Sequence, residues 1–122
     1  MASIDLSPAT LDLKGIRAGD RNMLTVTLTS EGNPMDLTGL DVMAQARKKA
    51  QDDSAVLEAV VEVDADPTTG KLTLRWPGED VRTLLAGQAT WQGVWDMQIS
   101  SAEEDPVTVV AGAFIAAMDV TR

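Results

Sequence analysis

The chain has 122 residues and contains no cysteine, no histidine and no tyrosine. Ten Lys and Arg against nineteen Asp and Glu leave a net charge of −9. That length is one domain, expected to span residues 1–122; disulfides, thiolate metal sites and imidazole catalysis are excluded, and nucleic acid and anionic membrane surfaces repel so acidic a chain.

No basic, apolar leader is read at Met1–Asp5. The longest apolar run is Val109–Met118, about half of the roughly 20 residues a spanning helix needs. Hydrophobic residues make up 44%, a normal share for a chain that folds in water.

In chain order, Leu11 and Leu13 alternate with Asp12 and Lys14. Leu24, Val26 and Leu28 alternate with Thr25, Thr27 and Thr29, which predicts a strand with one core face and one threonine face. Glu31-Gly32-Asn33-Pro34 is a chain reversal, and Asp36-Leu37-Thr38-Gly39 a second break. Asp41–Lys49 reads as a strand with Val42, Ala44 and Ala46 on one face; a helix over Ala44–Ala50 competes on propensity. Val56–Val63 is a β-branched run that ends at the turn residues 64–70. Lys71–Trp76 alternates again and stops at Pro77-Gly78.

Residues 79–86 break the period of two. Glu79 and Asp80 suit a helix N-terminus, Val81, Leu84 and Leu85 share one face, and Gly87 suits the end. One short helix is predicted there. Trp91, Gly93, Trp95, Met97 and Ile99 then alternate with polar residues, a polar loop follows at Ser100–Pro106, and Val107–Val120 forms the last strand, bulged at Gly112. About seven strands and one helix make an all-β fold, an antiparallel β-sandwich.

Little chemistry is open to this composition. Without histidine the usual serine triad cannot form, and no Gly-rich loop opens a helix to hold a phosphate. Asp52-Asp53 and Asp64-Ala65-Asp66 have carboxylate spacing suggestive of calcium, but the glycine and the later glutamate of such a loop do not follow; solvated turns account for them. No catalytic residue, metal or cofactor is assigned. Trp76 and Trp95 fall on core phases. Trp91 begins its strand, where a rim tryptophan can anchor a protein or stack a sugar. Arg47-Lys48-Lys49 is the one basic cluster, either a solvated strand end or a patch complementary to an acidic neighbour.

The order of these motifs resembles the small β-sandwich module of tailed-phage virion proteins, the type found at the N-terminus of baseplate upper proteins and in related tail and fibre-attachment proteins. The resemblance is carried by Gly19-Asp20, Gly32-Asn33-Pro34-Met35-Asp36-Leu37-Thr38-Gly39, Ala46-Arg47-Lys48-Lys49, Gly70-Lys71-Leu72-Thr73-Leu74, the helix ending at Gly87, Trp95-Asp96-Met97-Gln98-Ile99, Gly112 and the ending Asp119–Arg122. Two features depart from it. A large aromatic is usual where Ala89 or Thr90 stands, with Trp91 as the substitute, and the related proteins are often longer. The resemblance implies an immunoglobulin-like sandwich and a non-enzymatic structural role in a virion, made in the host cytoplasm. Its partners would be other virion proteins and further copies of itself, at the tail, baseplate or head–tail region. A capsid decoration protein and a carbohydrate-binding adhesin are the alternatives.

One expectation concerns attachment. Ser3–Leu6 and Val107–Val120 carry few charges to protect a sheet edge. Residues 113–118 are apolar on both faces, and a strand apolar on both faces is covered on both faces. Phe114, Ala116 and Met118 are therefore expected at or beneath a protein–protein contact, with Thr121-Arg122 held there, unless the helix or a loop of the same chain covers them.

Overall fold

The computed structural model describes residues 9–118 apart from positions 20, 31, 53, 103 and 104. The expectations placed on Ser3–Leu6, Asp53, Thr121 and Arg122 lie outside the described residues. The described strands run β1 (Ala9–Thr10), β2 (Leu13–Arg17), β3 (Met23–Thr27), β4 (Thr29–Ser30), β5 (Asn33–Pro34), β6 (Asp41–Arg47), β7 (Leu57–Glu58) and β8 (Val60–Val63). A 3-10 turn at Pro67–Thr69 precedes β9 (Lys71–Arg75), helix α1 (Gly78–Leu85), β10 (Thr90–Ser100) and β11 (Val107–Ala117). Seven of these strands are four residues or longer, as the alternation predicts.

The larger sheet has the order β1-β11-β10-β6-β7, with β2 beside β11; the smaller has the order β3-β9-β8. One hydrophobic core unites them, with Ala44, Trp95, Met97 and Phe114 from the larger sheet and Leu72 and Leu74 from the smaller. The fold is all-β and sandwich-like, with one α-helix among the described residues. None of its described helices is long and apolar enough to cross a membrane.

The expected antiparallel arrangement needs correction. β10 is antiparallel to both β6 and β11, but β1 and β2 run parallel to β11. Strand direction relative to a partner some hundred residues away leaves no trace in a period of two. The run Val56–Val63 is also not one strand. Leu57 and Glu58 pair with Ala46 and Gln45 in the larger sheet, whereas Val60–Val63 pair with β9 in the smaller. The chain changes sheets at Ala59, which is buried and donates its N–H to the Ala44 carbonyl at 2.9 Å.

Asp41–Arg47 is a strand, so the helical alternative falls. Ala44 and Ala46 are buried while Met43 is 45% exposed, the face split its pattern predicts. The helix lies within one residue of its predicted span. It places Val81 and Leu85 in the core and packs against β2, β7, β10 and β11. It ends because Ala86 and Gly87 both take positive φ, 50° and 85°, which stops helical propagation.

Trp76, Trp95 and Phe114 form the centre of the core. The Trp76 ring meets Trp95 edge-on at 6.2 Å between centroids and Phe114 at 4.9 Å. The bulge in β11 is at Val109, not Gly112: Met97 pairs with Val110 and Gln98 with Thr108, which leaves Val109 unpaired. Gly112 has another role. A Cβ there would collide with the Leu11 carbonyl. That carbonyl accepts the Trp95 indole N–H at 2.7 Å. The missing side chain lets the β1–β2 link pass close over β11.

Candidate functional site

The basic cluster comes to rest at one end of the larger sheet. Arg47 is the last residue of β6, and its partner in β10 is Val94. Arg47 Nη1 lies 3.2 Å from Asp96 Oδ2, and Nη2 donates to Gln45 Oε1 at 2.8 Å. The Arg47 and Asp96 side chains are 15% and 25% exposed, so partial desolvation strengthens a pair that on an open surface is worth about 1 kcal/mol or less. Lys48 donates from Nζ to the Gln92 carbonyl at 2.8 Å. Lys49 is exposed on the following turn, where its backbone N–H donates to Asp52 Oδ2 at 3.1 Å.

Trp91 stands beside this cluster. Its ring meets Phe114 at 6.0 Å between centroids, and Lys48 Nζ lies 5.3 Å above its own centroid. A Cβ on Gly93 would collide with the same indole, so Gly93 leaves the space the ring occupies. The indole is half-buried and engaged by Phe114 and by the Lys48 ammonium. The structure thus brings together Arg47, Lys48, Trp91 and Phe114, which the sequence nominated separately.

Phe114 and Ala116 are fully buried in the chain's own core. Met118 is half-buried, and its N–H donates to the Ala89 carbonyl at 3.0 Å. The expected alternation along β11 holds, but the bulky ring goes to the space between the sheets, where Trp76 and Trp91 meet it. The other face of this strand is turned away from the second sheet. There Ala111, Ala113, Ile115 and Ala117 stand in register with Asp96, Val94, Gln92 and Thr90 of β10, and Val94 and all four β11 side chains are part-exposed. Both faces of this strand are apolar in the sequence, and periodicity does not say which of them meets the second sheet.

The turn acids are structural. Asp66 Oδ1 accepts from the Thr68 N–H at 3.1 Å and its hydroxyl at 2.6 Å, capping the 3-10 turn, and Asp64 Oδ2 accepts from the Thr69 hydroxyl at 3.4 Å. Among the described residues no three carboxylates converge. Asp36 Oδ1 accepts from the Thr38 N–H at 2.9 Å. The Thr38 hydroxyl, and then its N–H, hold the Asp36 carboxyl below its ordinary value. The outer face of the smaller sheet carries a shallow hollow of about 280 Å³ lined by Thr25, Thr73, Glu62 and Lys71 among others.

The family model of the BppU N-terminal domain covers residues 8–88, from the start of β1 to just beyond α1. Strands β10 and β11 lie past the matched stretch. No curated protein matches the chain.

Proposed function

The chain belongs to the BppU N-terminal domain family, a domain of phage baseplate upper proteins, and from that membership we propose a non-enzymatic structural component of a tailed-phage virion that joins other virion proteins at the tail or baseplate. The family match over residues 8–88 carries this reading. Within it the chain is a single immunoglobulin-like domain, made in the host cytoplasm and present in several copies per particle. The facing sheets and the part-exposed apolar face of β10 and β11 support that picture. Its net charge of −9 fits protein partners and repels nucleic acid. The adhesin reading weakens, because sugar stacking needs an open aromatic face and Trp91 already lies against Phe114 and under Lys48.

The test is to place the protein in the particle. Virions carrying an epitope-tagged copy are purified, probed by mass spectrometry and labelled with gold-conjugated antibody. Label at the tail tip is the expected result. Label over the capsid would make it a decoration protein, and absence from purified particles would overturn the virion reading altogether.

A further inference from the structure

The outer face of the larger sheet has a composition that a water-facing sheet does not need. Solvated faces of antiparallel sheets are polar; the smaller sheet has Thr25, Thr73 and Glu62 in one row and exposes Met23 and Val60 on either side of Arg75 in the next. On the larger sheet the same aspect carries an apolar band, Val94 with Ala111, Ala113, Ile115 and Ala117, bordered by Gln92, Asp96 and Gln98 of β10 and by Gln45, Arg47 and the 45% exposed Met43 of β6. The side chains of the band are mostly small, so the band is flat.

Its ends differ in charge. Arg17 pairs with Ala117 at one end, and Lys48 and Lys49 follow β6 towards that end, while Arg47 is level with Val94 and Ala113 in mid-sheet. Asp41 opens β6 at the other end, and Asp105 precedes β11 there. β10 and β11 have eleven residues each, β6 seven and β2 five; at about 4.8 Å between strands and about 3.3 Å per residue they give roughly 540 Å² per copy and about 1,100 Å² for two, above the roughly 1,000 Å² that a specific interface must clear.

Resting on the virion reading and naming its partner, we infer that this face is the contact between two copies of the chain, related by a two-fold axis lying in the interface perpendicular to the strands. That axis reverses the strand direction of one copy over the other. It brings the Lys48–Lys49 end of one β6 over the Asp41 end of its counterpart, and Arg17 towards Asp105. Stacking with the strands running the same way would put like charges together, on chains that already repel through their net charge. The antiparallel stack also places the two Arg47–Asp96 pairs near the centre, where each cation meets the other copy's carboxylate.

Sedimentation equilibrium of the purified full chain, from micromolar to several hundred micromolar, tests this. A monomer–dimer equilibrium is expected. Ala113→Glu and, at the more exposed position, Met43→Glu should each abolish it without changing the thermal unfolding midpoint. Thr25→Glu, the same charge on the smaller sheet, should leave it intact. Lys49→Glu should weaken association at least tenfold, and adding Asp41→Lys in the same chain should restore it. A wild-type chain that stays monomeric throughout, a dimer indifferent to both face variants, or a charge pair that fails to restore would each overturn the inference. If the wild-type chain is monomeric yet Ala113→Glu is excluded from virions, the face belongs to a different virion protein. The two-copy contact then fails while the virion assignment stands.

Discussion

Asn22 closes the edge of β2 against Arg17 with its side-chain amide. Its Oδ1 accepts from the Arg17 N–H at 2.9 Å, and its Nδ2 donates to the Arg17 carbonyl at 2.8 Å. The same Nδ2 donates to the Trp76 carbonyl at 3.0 Å, and the Trp76 N–H donates to the Asn22 carbonyl at 3.2 Å. One residue thus substitutes for a neighbouring strand and ties the end of β2, in the larger sheet, to the residue after β9, in the smaller. It sits at φ 50°, a conformation asparagine tolerates better than most. At Arg17 the edge of β2 is thereby closed to strand addition.

Asn22→Gly tolerates the same φ and loses the amide. It should cost about 1–3 kcal/mol, the range for leaving partly buried polar groups unmatched. Asn22→Asp should cost more at neutral pH, because a carboxylate then faces two carbonyl oxygens. Urea denaturation measures both, and losses under about 0.5 kcal/mol in each would refute the edge-closing role.

Gly112→Ala should destabilise the fold by about 2–4 kcal/mol, combining backbone displacement with loss of a buried hydrogen bond. The new methyl collides with the Leu11 carbonyl and pushes it from the Trp95 indole. Gly15, whose Cβ would meet nothing within 4 Å, is the control: Gly15→Ala should be nearly neutral. Equal effects at the two glycines would rule out the close approach as the cause.

Trp76 and Trp95 are both buried, but their indoles are satisfied differently. Trp95 donates to Leu11, whereas Trp76 Nε1 has no hydrogen-bond partner among the described residues. Trp→Phe removes similar volume at either site. Trp95→Phe should therefore cost about 1–3 kcal/mol more than Trp76→Phe, because it also leaves a carbonyl unpaired. The reverse order in paired chemical denaturation experiments would contradict these assignments.

The Asp36 turn should respond to acid. Its carboxyl lies below the ordinary 3.8 in the folded chain because Thr38 donates to it. A group depressed on folding contributes stability above its unfolded value and loses that contribution as pH falls through the folded one. Asp36→Asn keeps an acceptor oxygen and removes the ionisation. The variant should be less stable than wild type at pH 7, and the two melting curves should converge as the pH falls below about 4. Curves that stay parallel would mean that this carboxylate does not report on folding.

Alternation along Leu24–Leu28, Asp41–Arg47, Lys71–Trp76 and Trp91–Ile99 was enough to identify these strands and their buried sides, since a period of two is written locally in the chain. The helix was legible for the same reason, through Val81, Leu84 and Leu85. The core placement of Trp76 and Trp95 is legible in the same way. Tertiary structure alone decided that β1 and β2 run parallel to β11, that Ala59 moves the chain between sheets, and that Gly112 makes room for a carbonyl rather than a bulge. It also decided that Phe114 faces inward while Ala113 and Ile115 face outward. Each of these depends on which distant segment lies alongside. A strand apolar on both faces satisfies local burial equally well in either orientation, and only the second sheet, arriving with Trp76, Leu72 and Leu74, makes one side the interior.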